Sequence, residues 1–350
     1  MHQKTVDALE KLEKLIRYGE VGVSGFLPAE RDLCRQLNIG RGSLQTVINE
    51  LSDRGLICKV PGKGVKILTR NEDAHWKKFL VIINGKNLNV TEYFELLRGV
   101  ATAADEQGAE IVLFFYHNDF IDRRLNERLT DDNLDGIIFL EKFPSRIREA
   151  MKESPLPYVV ANYEGAENDV PAIRVDYRQI GRNAGRYLVG HGHKKVGFIG
   201  GSRENYIYRE MFAGLKGALA EDDLVPDMEL SLEIDSKLPV DERKKCVMEM
   251  LKKYSGKSAI FAGRDHIAQL IYECCQELNI CIPEDISVIS NDNVSWPEAE
   301  KAGLTSFSQP AFETGRTAIY ALCKAMDNNT PIKTELLIGQ LIERFSVIRN

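Results

Sequence analysis

The chain has 350 residues, too many for one small reader domain and enough for two or three further cores. With 43% hydrophobic and 28% charged residues and no apolar run near the length of a membrane span, the composition excludes a transmembrane protein and predicts a globular one. A formal net charge of -6 argues against a nucleic-acid binder only until it is divided: residues 1 to 70 hold 12 Lys and Arg against 8 Asp and Glu, whereas the rest hold 34 against 44.

The first twenty residues are charged and amphipathic, with Val6, Leu9, Leu12 and Ile16 on one side. They predict a helix rather than a signal peptide, and with it a cytoplasmic protein that has no membrane partner. A second helix is expected from about Glu30 to Leu37, where Leu33 and Leu37 lie one turn apart. After a turn at Asn38-Ile39-Gly40, a third helix is expected from Ser43 to Arg54. Leu44, Val47, Ile48 and Leu51 form one apolar stripe there, and Ser43, Gln45, Thr46 and Asn49 occupy the opposite face, with Arg41 just ahead. Such side chains reach base edges and phosphates when a helix lies in the major groove. Leu56 to Val60 and Val65 to Leu68 then read as strands around Pro61-Gly62-Lys63-Gly64, a turn whose lysine tip can approach a DNA backbone or minor groove.

This segment resembles the winged helix-turn-helix of GntR-type bacterial transcription regulators, most clearly in Leu27-Pro28-Ala29-Glu30-Arg31. The resemblance implies DNA contacts from Arg31, Arg41, Gly42, Ser43, Gln45, Thr46, Gly62 and Lys63. The pattern departs at Gly40 and Gly42, which replace a capping Ser and a Thr, and at Gln45, which replaces an arginine and would favour adenine over guanine.

From Lys78 onward, short apolar runs such as FLVIIN, EIVLFFY, DGIIFL and PYVVANY alternate with helical periods. A second set starts at KKVGFIGG and continues through LSLEID, SAIFAG and ISVISND. Alternation of this kind predicts parallel sheets covered on both faces, and two sets predict two lobes around a cleft beyond the strands' carboxyl ends. Strings such as Asp135-Gly136-Ile137-Ile138, Pro283-Glu284-Asp285-Ile286-Ser287, and Leu304-Thr305-Ser306-Phe307-Ser308-Gln309-Pro310 resemble the effector domain of LacI-type regulators over nearly all of 78–347. The expected fold class is therefore α/β: a winged helix-turn-helix over 1–70, a linker at 71–77, and a two-lobed periplasmic-binding-protein-like body over 78–350 with parallel sheets flanked by helices. Lobe 1 is expected at about 78–175 and 293–328, and lobe 2 at about 176–292 and 329–350. The combination resembles arabinose-responsive repressors.

For the body, the resemblance implies effector contacts from Tyr93, Phe94, Asn162, Arg209, Asp265, Asp292 and Gln309. Tyr93 and Phe94 are either ring faces for a sugar or purine or ordinary core aromatics. Asn162 and Asp292 end strands, where they suit a polyhydroxylated ligand or cap turns. Asp265 either meets ligand or caps the next helix. Arg264 replaces an asparagine; it is either a cleft guanidinium suited to a sugar acid or sugar phosphate, or a solvated surface residue. Arg209 stands five residues before Gly214 where the family's arginine stands three before, with Met211 at that place.

No metal and no cofactor are expected. His191 and His193 in GHGH fit a helix-ending turn better than a metal pair, and seven scattered cysteines without CxxC spacing argue for reduced thiols. GxSxG, Walker and HExxH patterns are missing, which argues against an enzyme, and a transport-linked binding protein would carry a secretion signal in place of residues 1 to 70. The expectation is a ligand-responsive DNA-binding regulator, a homodimeric repressor of carbohydrate-utilisation genes that reads an inverted repeat of double-stranded DNA and is released by a small sugar-like effector. Purine, sugar-acid, sugar-phosphate and co-repressor versions stand as alternatives.

Overall fold

The computed structural model describes residues 3–17, 25–54, 56–67, 77–85, 91–116, 125, 128–129, 133–140, 145–165, 169–253, 257–294 and 303–350. The expected linker falls outside them apart from Lys77. The chain forms two compact units, Met1–Trp76 and Lys77–Asn350.

In the first unit, α1 (Gln3–Arg17), α2 (Glu30–Leu37) and α3 (Arg41–Asp53) bury Leu9, Leu12, Leu33, Leu44, Val47, Ile48 and Leu51 in one core. Glu30 and Asp32 lie in the first turn of α2, where carboxylates complement the helix dipole. Asn38 closes α2 in the left-handed region (φ 52°), its amide bonding back to Arg35 and Cys34. The third helix starts two residues earlier than the expected Ser43. Extended Gly40 (φ -76°, ψ 162°) serves as its N-cap, and the Gly40 carbonyl takes the Leu44 amide at 2.9 Å, so Arg41 lies inside the first turn. Strands β1 (Ile57–Val60) and β2 (Gly64–Ile67) pair antiparallel, Val60 opposite Gly64, around a tip in which Gly62 takes φ 75°.

Among the described residues the second unit holds two six-stranded sheets. The first contains β3 (Lys78–Asn84), β4 (Glu110–Tyr116), β5 (Gly136–Leu140), β6 (Tyr158–Ala161), β7 (Ala172–Val175) and β13 (Glu335–Leu337), all parallel, in the order β13-β7-β6-β5-β3-β4. The second contains β8 (Val196–Gly200), β9 (Leu232–Glu233), β10 (Ser258–Ala262), β11 (Ile286–Asp292), β12 (Thr305–Ser308) and β14 (Leu341–Ile342), in the order β14-β12-β11-β10-β8-β9. Among the described strands of this sheet only β14 runs antiparallel to its neighbour. Strands β5, β8 and β10 are buried along their whole length, which explains why they are apolar apart from Ser258.

Helices cover both sheets: α4 (Thr91–Glu106), α5 (Ser145–Glu153) and α10 (Ala311–Asn328) belong to the first lobe. The second has α6 (Tyr177–Gly190), α7 (Tyr206–Ala220), α8 (Val240–Lys253) and α9 (Asp265–Leu278). In each lobe two helices cross closely at glycines. A Cβ on Gly181 would overlap the Met211 carbonyl, one on Gly214 the Arg178 carbonyl, and one on Gly99 the Phe312 carbonyl.

The lobe limits differ from those expected at the C-terminal crossings. Thr305–Ser308 is an interior strand of the second lobe, not the first, because its buried residues pair with β11 in the register Ile289–Thr305 to Asp292–Ser308. Glu335–Leu337 returns to the first lobe by pairing with β7, Glu335 opposite Ile173. The crossings therefore follow Val175, Ser308 and Leu337.

Candidate functional site

In the first unit, Arg41, Gly42, Ser43, Gln45 and Thr46 lie on α3 outside its buried apolar stripe, Arg31 lies on α2, and Gly62 and Lys63 lie in the hairpin tip. Arg31, Arg41, Gly42, Thr46, Gly62 and Lys63 are exposed, and Ser43 and Gln45 are partly so. Gln45 donates to Asn49 Oδ1 at 2.9 Å, and the same oxygen accepts from Lys59 Nζ at 3.3 Å, so three polar side chains of α3 and β1 are pre-arranged on one surface. The Thr46 hydroxyl bonds back to the Gly42 carbonyl at 3.1 Å. Exposed arginines, amides and a lysine-tipped turn supply donors for phosphate and base edges.

In the second unit, the carboxyl ends of the two sheets bring polar groups together. Asn162 follows β6, is 3% exposed, and takes the left-handed region (φ 59°); its Nδ2 donates to Glu92 Oε1 at 2.9 Å. Two residues on, Glu164 Oε1 accepts from the Tyr177 hydroxyl at 3.3 Å. From the other lobe, Arg264 follows β10, and Nη2 reaches the same Glu164 oxygen at 3.0 Å. Its Nη1 bonds Asp292 Oδ1 at 2.8 Å. That oxygen also accepts from Asn291 Nδ2 at 2.7 Å and Gln309 Nε2 at 2.8 Å. Asp292 holds φ 119°, an uncommon conformation for a residue with a side chain, at the end of β11.

Electrostatics follow from this packing. Burial pushes the Asp292 carboxyl up to about 6, against the opposing pull of Arg264 and Gln309. Burial also works against the Arg264 charge, yet Asp292, Tyr177 and Glu164 outweigh it and hold the guanidinium well above its ordinary value. The buried Tyr177 hydroxyl is raised chiefly by desolvation and feels Arg264, Glu164, Glu92 and Asp292 at once.

Several expectations for the body are corrected. Tyr93 is 2% exposed and packs in the first lobe's core with Leu96, Val81 and Ile319, which makes it a core aromatic; Phe94, one position on, is 62% exposed. Arg209 lies on the exposed side of α7 beside Glu210 (3.5 Å), because the helix phase that buries Met211 turns it outward. Asp265 lies 2% exposed inside the second lobe, accepting from Ser306 Oγ and the Val294 amide at 2.7 Å each. Arg264 bridges the two lobes with a 16% exposed side chain and is not a solvated residue. His193 is buried between the Ile348 carbonyl (3.0 Å) and Asn350 (2.8 Å), and His191 Nδ1 lies 2.8 Å from the Tyr187 carbonyl. Among the described residues no His, Cys, Asp and Glu cluster could hold a metal.

The residues that sequence reading passed over are Glu92, Glu164 and Tyr177. Glu164 was findable, since it trails a strand end by three residues, whereas Glu92 and Tyr177 are called into the site only by tertiary packing.

Residues 4–67 match the family described as bacterial regulatory proteins, gntR family, and residues 185–347 match the periplasmic binding protein-like domain. The chain is a transcription regulator that joins a gntR-family match at its head to a periplasmic binding protein-like body. The regulator is 29% identical over 242 residues to catabolite control protein A of Priestia megaterium, covering 68% of this chain and 72% of that one. It is 28% identical over 264 residues to the HTH-type transcriptional repressor PurR of Pectobacterium carotovorum, covering 73% and 76%. In fold it resembles a LacI family transcriptional regulator from Enterococcus faecium with bound ribose, at TM-score 0.60 and 22% identity over 78% of this chain and all of that one. Among the described residues no helix of the regulator is long and apolar enough to cross a membrane.

Proposed function

We propose that the regulator is a homodimeric repressor that binds an inverted repeat in double-stranded DNA and is released by one small sugar-like effector held between the lobes of its body. The observation that carries this reading is the convergence of Asn162, Glu164, Arg264, Asp292 and Gln309 at the carboxyl ends of two parallel sheets. Ligands of open α/β folds bind there. Amide, carboxylate and guanidinium groups suit paired hydroxyls because each offers donors or acceptors in a fixed plane. Arg31, Arg41, Gly42, Ser43, Gln45, Thr46, Gly62 and Lys63 form the DNA face, and two such faces related by a twofold axis read two half-sites. The protein acts in the cytoplasm, binds its effector without turning it over, and uses no cofactor.

A purine is the second reading, since the amides of Asn162 and Gln309 can also bond the edge of a base. A thermal-shift screen of pentoses, hexoses, uronic acids, sugar phosphates and purines identifies the effector, since a ligand of the folded state raises the melting temperature by mass action. Anisotropy titrations on DNA from the regulator's own promoter, with and without that compound, then measure release. A compound that binds the body and leaves DNA affinity unchanged refutes induction by it; one that tightens DNA binding is a co-repressor.

A further inference from the structure

A lone guanidinium in a ligand cleft invites an acidic ligand, and the geometry around Arg264 argues the reverse. Its two terminal nitrogens are already committed, one to Asp292 at 2.8 Å within its own lobe and one to Glu164 at 3.0 Å across the cleft. A third carboxylate, Glu92, reaches the same place through Asn162. All three acids and the single arginine act on the buried Tyr177 hydroxyl, which marks them as one electrostatic neighbourhood. An incoming carboxylate or phosphate therefore gains little from a guanidinium whose charge Asp292 and Glu164 already offset, and it must also sit among carboxylates in a partly desolvated site. A hydroxyl-bearing molecule meets neither obstacle. It accepts from the guanidinium and donates to the carboxylates while the ion pairs persist.

We propose that Arg264 is the specificity-determining residue of the cleft. Fixed between Asp292 and Glu164, it is a built-in counter-ion that makes the pocket select uncharged, hydroxyl-rich molecules over their acid and phosphate forms. The inference rests on the cleft being the effector site.

The test is calorimetry on the full chain with matched series: glucose, glucuronate and glucose 6-phosphate; galactose and galacturonate; ribose and ribose 5-phosphate. In at least one series the neutral member binds, and its charged relatives bind about ten-fold or more weakly, the scale of a like-charge contact. In Glu164→Gln, which frees one side of the guanidinium and removes one acid, that gap narrows, a ratio that a purely structural role of Arg264 would not move. Melting temperatures establish that the variant is folded, and Arg178→Gln, which breaks only the exposed pair with Glu210, leaves the gap unchanged. A charged member binding as tightly as its parent, or a gap unaltered in Glu164→Gln, overturns the selectivity and leaves the effector cleft standing. Silence from every member overturns the sugar reading, and the selectivity with it.

Discussion

Asp265→Ala separates a structural carboxylate from a ligand contact. Asp265 is buried at the start of α9, and it accepts from the Ser306 hydroxyl and the Val294 amide, both at 2.7 Å. Ser306 Oγ in turn accepts from the Asn293 amide at 3.1 Å, so one carboxylate ties α9, β12 and the segment directly after Asp292. Removing it leaves two buried donors without acceptors, at about 1–3 kcal/mol each. Part of that is returned, because burial has raised the carboxyl's pKa and its ionised form is disfavoured. The net loss is about 2–4 kcal/mol, large for a single substitution. In a body of this size the melting temperature falls by roughly 2–4 °C per kcal/mol. Urea and thermal unfolding followed by circular dichroism measure it, and Asp265→Asn, which keeps one acceptor oxygen, loses less. Unaltered stability together with abolished effector binding would refute this and return Asp265 to the ligand.

In Gly214→Ala the new methyl meets the Arg178 carbonyl and lies 2.8 Å from the Arg182 amide, forcing α6 and α7 apart at a cost of about 1–3 kcal/mol. Gly217→Ala on the same helix meets only the flexible Arg182 Nη2 at 3.5 Å and gains up to about 1 kcal/mol, so denaturation midpoints in the opposite order contradict the packing. Arg41→Ala weakens specific operator binding by about 1–3 kcal/mol. Lys63→Ala lowers the salt slope by about 1, and an unchanged slope moves the wing off the DNA. For Asp292, a folded-state pKa raised from 3.8 to about 6 means that the native state binds the proton more tightly. Its stability contribution is complete below pH 3.8 and is lost as pH rises through 6, about 3 kcal/mol for about two units. The stability of Asp292→Asn relative to the parent protein therefore rises by up to that amount between pH 4 and 7, and a constant difference would place the carboxylate in water.

What was legible in the sequence was periodic. Leu44, Val47, Ile48 and Leu51 announced the buried stripe of α3, and the apolar runs of β5, β8 and β10 announced strands covered on both faces. What was not legible depended on partners far away in the chain. LTSFS looks like any short strand, and only its pairing with β11 assigns it to the second lobe. Tyr93 and Phe94 are interchangeable in composition, yet one residue of helix phase sends the first into the core and the second outward. Arg264 read either as a cleft cation suited to an anion or as a solvated surface residue, because Glu164, a hundred residues away, carries no sequence signal of being its partner. Asp265 and Asp292 both begin or end elements in the same lobe, and only burial and hydrogen bonding distinguish the internal tie from the cleft carboxylate.

The position of Gln309 bears on how a cleft ligand changes lobe arrangement. It stands between β12 and α10, on one of the chain's crossings, and its amide holds the same Asp292 oxygen that holds Arg264. The neighbouring crossings are tied to it and to each other: the Ser308 amide donates to the Gln340 carbonyl at 2.8 Å, and the Asp176 amide to the Leu337 carbonyl at 2.8 Å. A ligand that takes Asp292 therefore competes at the hinge itself as well as at the interlobe pair Arg264–Glu164, and no relay through either core is required. Its leverage is bounded by its differential affinity for the two lobe arrangements, typically 1–3 kcal/mol, or ~5- to 150-fold in DNA affinity, with DNA weakening the ligand by the same factor. Gln309→Leu removes the hinge contact and leaves the interlobe ion pair intact. It therefore reduces the effector's effect on operator binding by more than it reduces effector affinity, measured by anisotropy on the same preparation. Loss of affinity with the coupling ratio unchanged would make Gln309 a plain ligand contact and assign the coupling to Arg264 and Glu164 alone.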